Sequence, residues 1–127
     1  MVYIFPITLI TLRGAANMEK KKWIKFDRDC FSNKDWHNNS KVIHLFLHLL
    51  MWASTGDDQW RGIPLKRGQL VTSRRRLSVE TGISEETVRS CLSKLLESND
   101  ISISAFVSHT VITICDYEKY AGSEDKK

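Results

Sequence analysis

Gly68-Gln-Leu-Val-Thr-Ser-Arg-Arg-Arg-Leu-Ser-Val-Glu-Thr-Gly82-Ile-Ser-Glu-Glu-Thr-Val-Arg-Ser-Cys-Leu-Ser-Lys-Leu-Leu96 decides the fold, because it reads as two helices joined by a tight turn. A short helix from Ser73 to Thr81 must stop at Gly82, the residue type that accepts a left-handed backbone without steric cost. Ile83 then plugs the corner. Ser84 starts a second helix, running to Ser98, by accepting from the free backbone N–H groups of its first turn. Within that helix Val88, Cys91, Leu92 and Leu95 share one face at i, i+3, i+4 and i+7. Glu86, Arg89, Ser90 and Ser93 are left outside, a short polar face of the kind that fits a DNA major groove.

The residues that follow select among helix-turn-helix types. Ile101-Ser-Ile-Ser-Ala-Phe106 and Thr110-Val-Ile-Thr-Ile-Cys115 both alternate apolar with small polar side chains, so they predict a hairpin turning at Val107, Ser108 and His109. Leu70 to Thr72 supplies a third strand ahead of the first helix. The expectation is an α+β fold, mostly helical: a winged helix-turn-helix with a three-stranded antiparallel sheet. His109 is the one candidate cation at the wing tip.

A chain of 127 residues predicts one domain with a modest core. Its net charge of +4 permits a nucleic-acid partner without requiring one. The distribution says more, since Lys66, Arg67, Arg74, Arg75 and Arg76 fall in a window with no acidic residue. Cys30, Cys91 and Cys115 are odd in number and far apart, and two occupy apolar positions of predicted elements. They read as reduced core residues of a cytoplasmic protein. His44 and His48 lie one helical turn apart, but no further ligand accompanies them, so no metal and no cofactor is expected.

Met1 to Leu12 is apolar, yet it is broken by Pro6 and its basic residues, Lys20 to Lys22, come after the run rather than before it. It has neither the charge order of a secretory signal nor the length of about 20 residues that spans a bilayer, so no membrane is expected. Met18 resembles a natural start. Residues 1–17 are therefore read as an extension outside the domain, such as a misplaced start codon leaves, 18–120 as the winged-helix domain, and 121–127 as a disordered tail.

Trp23 to Phe26 reads as an extended segment and Asp27 to Trp36 as a helical turn or two. Between Asn39 and Ser54 lies a helix that is apolar nearly all round, with Ser40 as its cap. Such a helix runs through the centre of a domain or lends a face to a second subunit. Thr55 to Gly62 reads as a polar turn, and Ile63 to Arg67 leads into the third strand. Trp23, Trp36, Trp52 and Trp60, scattered beside apolar residues, read as packing rather than base-stacking side chains. Tyr117 and Tyr120 read as clamps that fold the last segment back.

Trp23-Ile-Lys, Trp60-Arg-Gly-Ile, Leu65-Lys-Arg-Gly-Gln-Leu-Val-Thr-Ser, Leu77 through Thr-Gly-Ile-Ser-Glu-Glu-Thr-Val-Arg, and Thr110-Val-Ile-Thr-Ile-Cys-Asp-Tyr-Glu-Lys-Tyr resemble the N-terminal winged-helix domain of phage replisome organisers and DnaD-like primosome proteins. The resemblance runs from about Lys22 to Tyr120. It implies a cytoplasmic, non-enzymatic protein of phages, prophages and mobile elements that binds double-stranded DNA at a replication origin and recruits helicase-loading or other replication proteins.

Arg74, Arg75 and Arg76 open the helix that crosses the backbone in other helix-turn-helix proteins, so they are candidates for phosphate contact; the plainer reading is a solvated charge run. Arg89 has the reach to pair with guanine, against a plainer i, i+4 pair with Glu85. Ser84, Glu86, Thr87, Ser90 and Ser93 complete the candidate DNA-binding set on the second helix, with His109 on the wing. Glu85 and Glu86 suit the helix dipole but face a phosphate backbone unfavourably. Two alternatives stand beside DNA binding in replication: a protein-protein assembly module that forms a homo-oligomer, and a small dimeric transcription regulator. No glycine-rich phosphate loop, nucleophile elbow or paired carboxylates in an apolar context occurs, so no catalysis is expected.

Overall fold

Three polar side chains start the three long helices. The computed structural model describes residues 23–56 and 58–121, which form α1 (Ser40–Trp52), β1 (Gln59–Trp60), β2 (Ile63–Pro64), β3 (Gln69–Thr72), α2 (Arg74–Thr81), α3 (Glu85–Glu97), β4 (Ile101–Ala105), β5 (Thr110–Ile114) and α4 (Tyr117–Tyr120). Ser73 Oγ accepts from the backbone N–H of Arg76 at 3.1 Å, and Ser84 Oγ from that of Thr87 at 3.2 Å. The cap of α1 is Asn39 rather than Ser40: its Oδ1 accepts from the N–H of Val42 at 3.2 Å, and Ser40 is already helical. Asn and Ser cap about equally well, so propensity alone does not choose between neighbours.

The sheet is antiparallel in the order β3-β5-β4, so the expected α+β class with three antiparallel strands holds. Leu70 lies opposite Ile112, Ile112 opposite Ile103, and Ile101 opposite Ile114. Leu70, Ile101, Ile112 and Ile114 are buried while Ser102 and Ser104 are exposed, as strict alternation requires. The strands stop short of the expected ends, leaving Phe106 and Cys115 outside.

The buried residues of the sheet and of α1 belong to one core cluster. Val42, Leu45, Phe46 and Leu49 of α1 are fully buried, together with Leu77 of α2 and Val88 and Leu95 of α3. Each such side chain contributes roughly 1.5–3 kcal/mol of burial. The apolar circumference is not all covered, however, since Met51 and Trp52 at the end of α1 are exposed. Of the four tryptophans Trp36 alone is core; Trp23 and Trp52 are largely exposed and Trp60 is half-buried.

Residues 27–36 form no helix. Cys30 N–H donates to the Asp27 carbonyl, Lys34 to Phe31, His37 to Lys34 and Asn39 to Trp36, a succession of four-residue turns. The turns bend Phe31 and Trp36 onto Phe46, with ring centroids 5.9 and 5.5 Å away. Helical periodicity cannot be satisfied where both rings must reach one target. The C-terminal segment closes on the same cluster: Tyr120 is buried 5.6 Å from Phe46, its carbonyl accepts from Lys25 N–H at 2.9 Å, and Ile24 bridges Ala121. The expectations for residues 1–17 and for the tail after Ala121 lie outside the described residues.

A second hairpin stands where a polar turn and a lead-in segment are expected. β1 and β2 pair antiparallel with Trp60 opposite Ile63, so Arg61 and Gly62 form a two-residue turn. Both have positive φ, 50° and 83°. That is the type I′ geometry, whose twist matches that of paired strands and for which glycine at the second position is suited.

One buried carboxylate joins these layers. Asp100 is 6% exposed, and its Oδ2 accepts from Trp36 Nε1 at 3.0 Å and from Ser98 Oγ, while Oδ1 meets Lys34 Nζ at 2.7 Å. Its backbone N–H donates to Leu95 and its carbonyl accepts from Cys115 N–H. Removing it strands a partly buried ammonium and leaves the indole N–H only its bond to Ser98 Oγ at 3.1 Å. Asp100→Ala should lower unfolding free energy in urea by about 3 kcal/mol, with Asp100→Asn, which keeps an acceptor for the indole, losing less.

Burial, reinforced by the negative charges of Asp100, Cys30 and Asp116, pushes the Tyr120 phenol up to about 12. The unfolded phenol ionises near pH ~10, so the raised folded value gives stability that is complete below that pH. Thermal melts should therefore hold level to about pH 10 and fall progressively toward pH 12, and Tyr120→Phe should flatten most of that fall.

Candidate nucleic-acid interface

The corner between α2 and α3 is built from its own side chains. Gly82 adopts φ 80° and its N–H donates to Ser78 O at 2.9 Å. Thr81 Oγ1 donates to Leu77 O at 2.7 Å and accepts from Ile83 N–H at 3.2 Å, while Ile83 is buried. The turn is therefore stitched on both sides, and α3 is held at a set angle to α2.

On α3 the four expected residues, Val88, Cys91, Leu92 and Leu95, are all buried. Burial pushes the Cys91 thiol up, opposed by the nearby charges of Lys41 and Lys94. The opposite face exposes Glu85, Glu86, Arg89, Ser90, Ser93 and Lys94. Arg89, Ser90, Ser93, Lys94 and Glu97 line a shallow concavity along it, and Lys94 and Glu97 also border a neighbouring one that reaches Asn38 and Asn39.

Candidate by candidate, the structure sorts the set. Arg74, Arg75 and Arg76 are all exposed at the start of α2. Arg76 is tied down: its Nε donates to Glu80 Oε2 at 3.0 Å, and the other Glu80 oxygen pairs with the buried His48 Nε2 at 3.0 Å. Among the described residues Arg74 and Arg75 have no ion-pair partner. Nor does Arg89 pair with Glu85, so the plainer reading of that arginine is not what the structure shows. Ser84 and Thr87 face each other, Ser84 Oγ donating to Thr87 Oγ1 at 2.9 Å besides capping the helix. Their hydroxyls serve the helix start first.

His109 does not stand free at a tip. Its ring lies between Trp60, 4.6 Å away, and Phe106, 4.9 Å away and stacked, with Ser108 Oγ 2.9 Å from Nδ1. The contact joins the β1–β2 hairpin to the β4–β5 hairpin. Sequence reasoning missed both Lys94 and the group of Trp60, Arg61 and Phe106. Lys94 is one position past Ser93 on the same exposed helix face, and the Trp-Arg-Gly-Ile stretch carries a two-residue turn signal that was legible.

Among the described residues no group of three His, Cys, Asp or Glu is placed to hold a metal, and His44 is exposed while His48 is bound to Glu80. All three cysteines are free thiols. No helix among the described residues is long and apolar enough to cross a membrane. Compared with protein-family models, with curated proteins and with solved structures, the chain matches none of them.

The corner makes two costs separable. Ser84→Ala removes the cap of α3 and should lower stability by about 1 kcal/mol. At Gly82 an added Cβ would meet no atom within 4 Å, so Gly82→Ala should cost only the left-handed backbone strain, about 1–2 kcal/mol. Urea unfolding of the two single variants checks both values.

Proposed function

We propose that this chain is a DNA-binding winged-helix domain that sets α3 in the major groove and the start of α2 on the phosphate backbone. The observation that carries the reading is the exposed Arg74 and Arg75 at the start of α2, which among the described residues have no ion-pair partner, beside a stitched corner that presents a polar α3 face. Three cations at a helix N-terminus oppose the helix dipole by a few tenths of a kcal/mol each, a cost that a phosphate would reverse. Arg89 and Lys94 face outward from α3, where Arg89 has the reach for guanine and Ser90 and Ser93 are short enough to allow close approach. Glu85 and Glu86 confine the favourable contacts to the second turn onward.

The resemblance to replisome organisers and DnaD-like primosome proteins supports a role in replication of a phage or mobile element, with double-stranded DNA as partner and helicase-loading proteins as candidates beyond it. A second reading has its own observation: Met51 and Trp52 stand exposed at the end of a helix whose Val42, Leu45, Phe46 and Leu49 are buried, which favours self-association or docking to replication proteins.

Fluorescence anisotropy with duplex DNA at several salt concentrations tests the first reading. Log affinity should fall against log salt by about 0.9 per phosphate neutralised, and Arg75→Ala should reduce that slope by about one. An affinity indifferent to Arg75→Ala and Arg89→Ala, together with a concentration-dependent oligomer in light scattering, would favour assembly.

A further inference from the structure

The strand register places two surfaces together that are distant in sequence. Thr72 pairs with Thr110, and Thr110 with Ala105, so these three residues form one rung at one end of the sheet. The chain leaves that rung through Ser73 into Arg74 on one edge and through Phe106 into Val107 on the other. Two strand spacings, about 10 Å, separate those exits. The His109 ring, clasped by Trp60, brings Arg61 to the same end, where its guanidinium lies 4.7 Å from the Trp60 ring.

This end combines exposed apolar groups with positive charge. Phe106 is 57% exposed and Val107 wholly so, although the strands beneath them are ordered. Neither Gln59–Arg76 nor Ile101–Cys115 contains an acidic residue, and the first of these segments holds six cations. Arg67 is turned toward Glu118 and Arg76 toward Glu80, which leaves Arg61, Arg74 and Arg75 as the cations of this end that lack a carboxylate contact among the described residues. The outer face of α3, by contrast, mixes Arg89 and Lys94 with Glu85, Glu86 and Glu97.

We propose that the hairpin tip is a duplex-DNA contact in its own right, in which Phe106 and Val107 wedge into a minor-groove base step while Arg61, Arg74 and Arg75 take the flanking phosphates; this rests on the DNA-binding reading above. A wedge needs apolar side chains that reach past the sugars and a cationic surround that offsets the phosphates drawn together by the kink. Both are present. The stack of Trp60, His109 and Phe106 fixes the phenylalanine before binding, so little rotamer entropy is lost when it inserts. An apolar protein partner would not call for Arg61, Arg74 and Arg75 beside the tip; a polyanion does.

The test uses the full chain and a duplex of about two helical turns carrying 2-aminopurine at TA steps, which kink readily. The unaltered chain should bind and raise 2-aminopurine fluorescence as steps unstack. Phe106→Ala combined with Val107→Ser should bind about tenfold more weakly, the loss of one stacking contact, with no rise. Arg61→Ala should reduce the salt slope by about one and keep the rise. Circular dichroism melts verify folding, and Val107→Ser alone, at a fully exposed site, gives the same reading in smaller measure if the double variant unfolds. Equal affinity and equal fluorescence for the tip variants would overturn the wedge and leave the DNA-binding reading standing. Absence of duplex binding by the unaltered chain overturns both. Tighter binding to the single strand than to the duplex overturns the wedge in favour of a stacking platform for unpaired bases.

Discussion

Asp100 is the group on which the arrangement of layers depends. It lies where α3 ends and β4 begins, and its carboxylate gathers an ammonium and an indole from the N-terminal turns and a hydroxyl from the end of α3. A buried charge is tolerated when it is paired and hydrogen-bonded, and here two of its three partners, Lys34 and Trp36, come from more than 60 positions away, Trp36 being 64 residues distant. Apolar burial brings α1, α3 and the sheet together without direction. The carboxylate sets which way the N-terminal turns lie across them, because few geometries satisfy it.

Much of this was legible from side-chain spacing. The four inward residues of α3, the glycine stop of α2 and the alternation of β4 and β5 are local patterns, each tied to a backbone period, and the structure has them within a residue or two. What was not legible depends on contacts between distant segments. Asp100 carries no pattern that separates it from an ordinary turn aspartate beside Asn99. The four-residue turns of residues 27–36 arise because Phe31 and Trp36 both reach Phe46, a demand the local sequence does not express. The β1–β2 hairpin is an intermediate case, since its turn was readable but strands of two residues fall below the length at which alternation can be recognised.

The candidate site divides in the same way. Exposure of Arg74, Arg75, Arg89, Ser90 and Ser93 follows from the helical period. Which of the polar groups are already engaged does not: Ser84 and Thr87 bond to each other, Arg76 is held through Glu80 by a histidine of α1, and His109 is packed between two rings. Side chains spent on local structure lose part of their freedom to meet a ligand, so a list of candidates drawn from spacing is always broader than the set left available.

The position of β4 in the sheet has one more consequence. Among the described residues it is an outer strand whose edge backbone N–H and C=O groups meet no further strand, and its sequence, Ile-Ser-Ile-Ser-Ala, holds no proline and no charge to discourage a second strand from pairing there. Brevity is the protection that remains, five residues ended by the turn at Phe106. The absence of charge that makes this hairpin compatible with a polyanion thus also removes the usual guard against edge-to-edge association, and it limits how far the hairpin can lengthen before the fold becomes vulnerable to it.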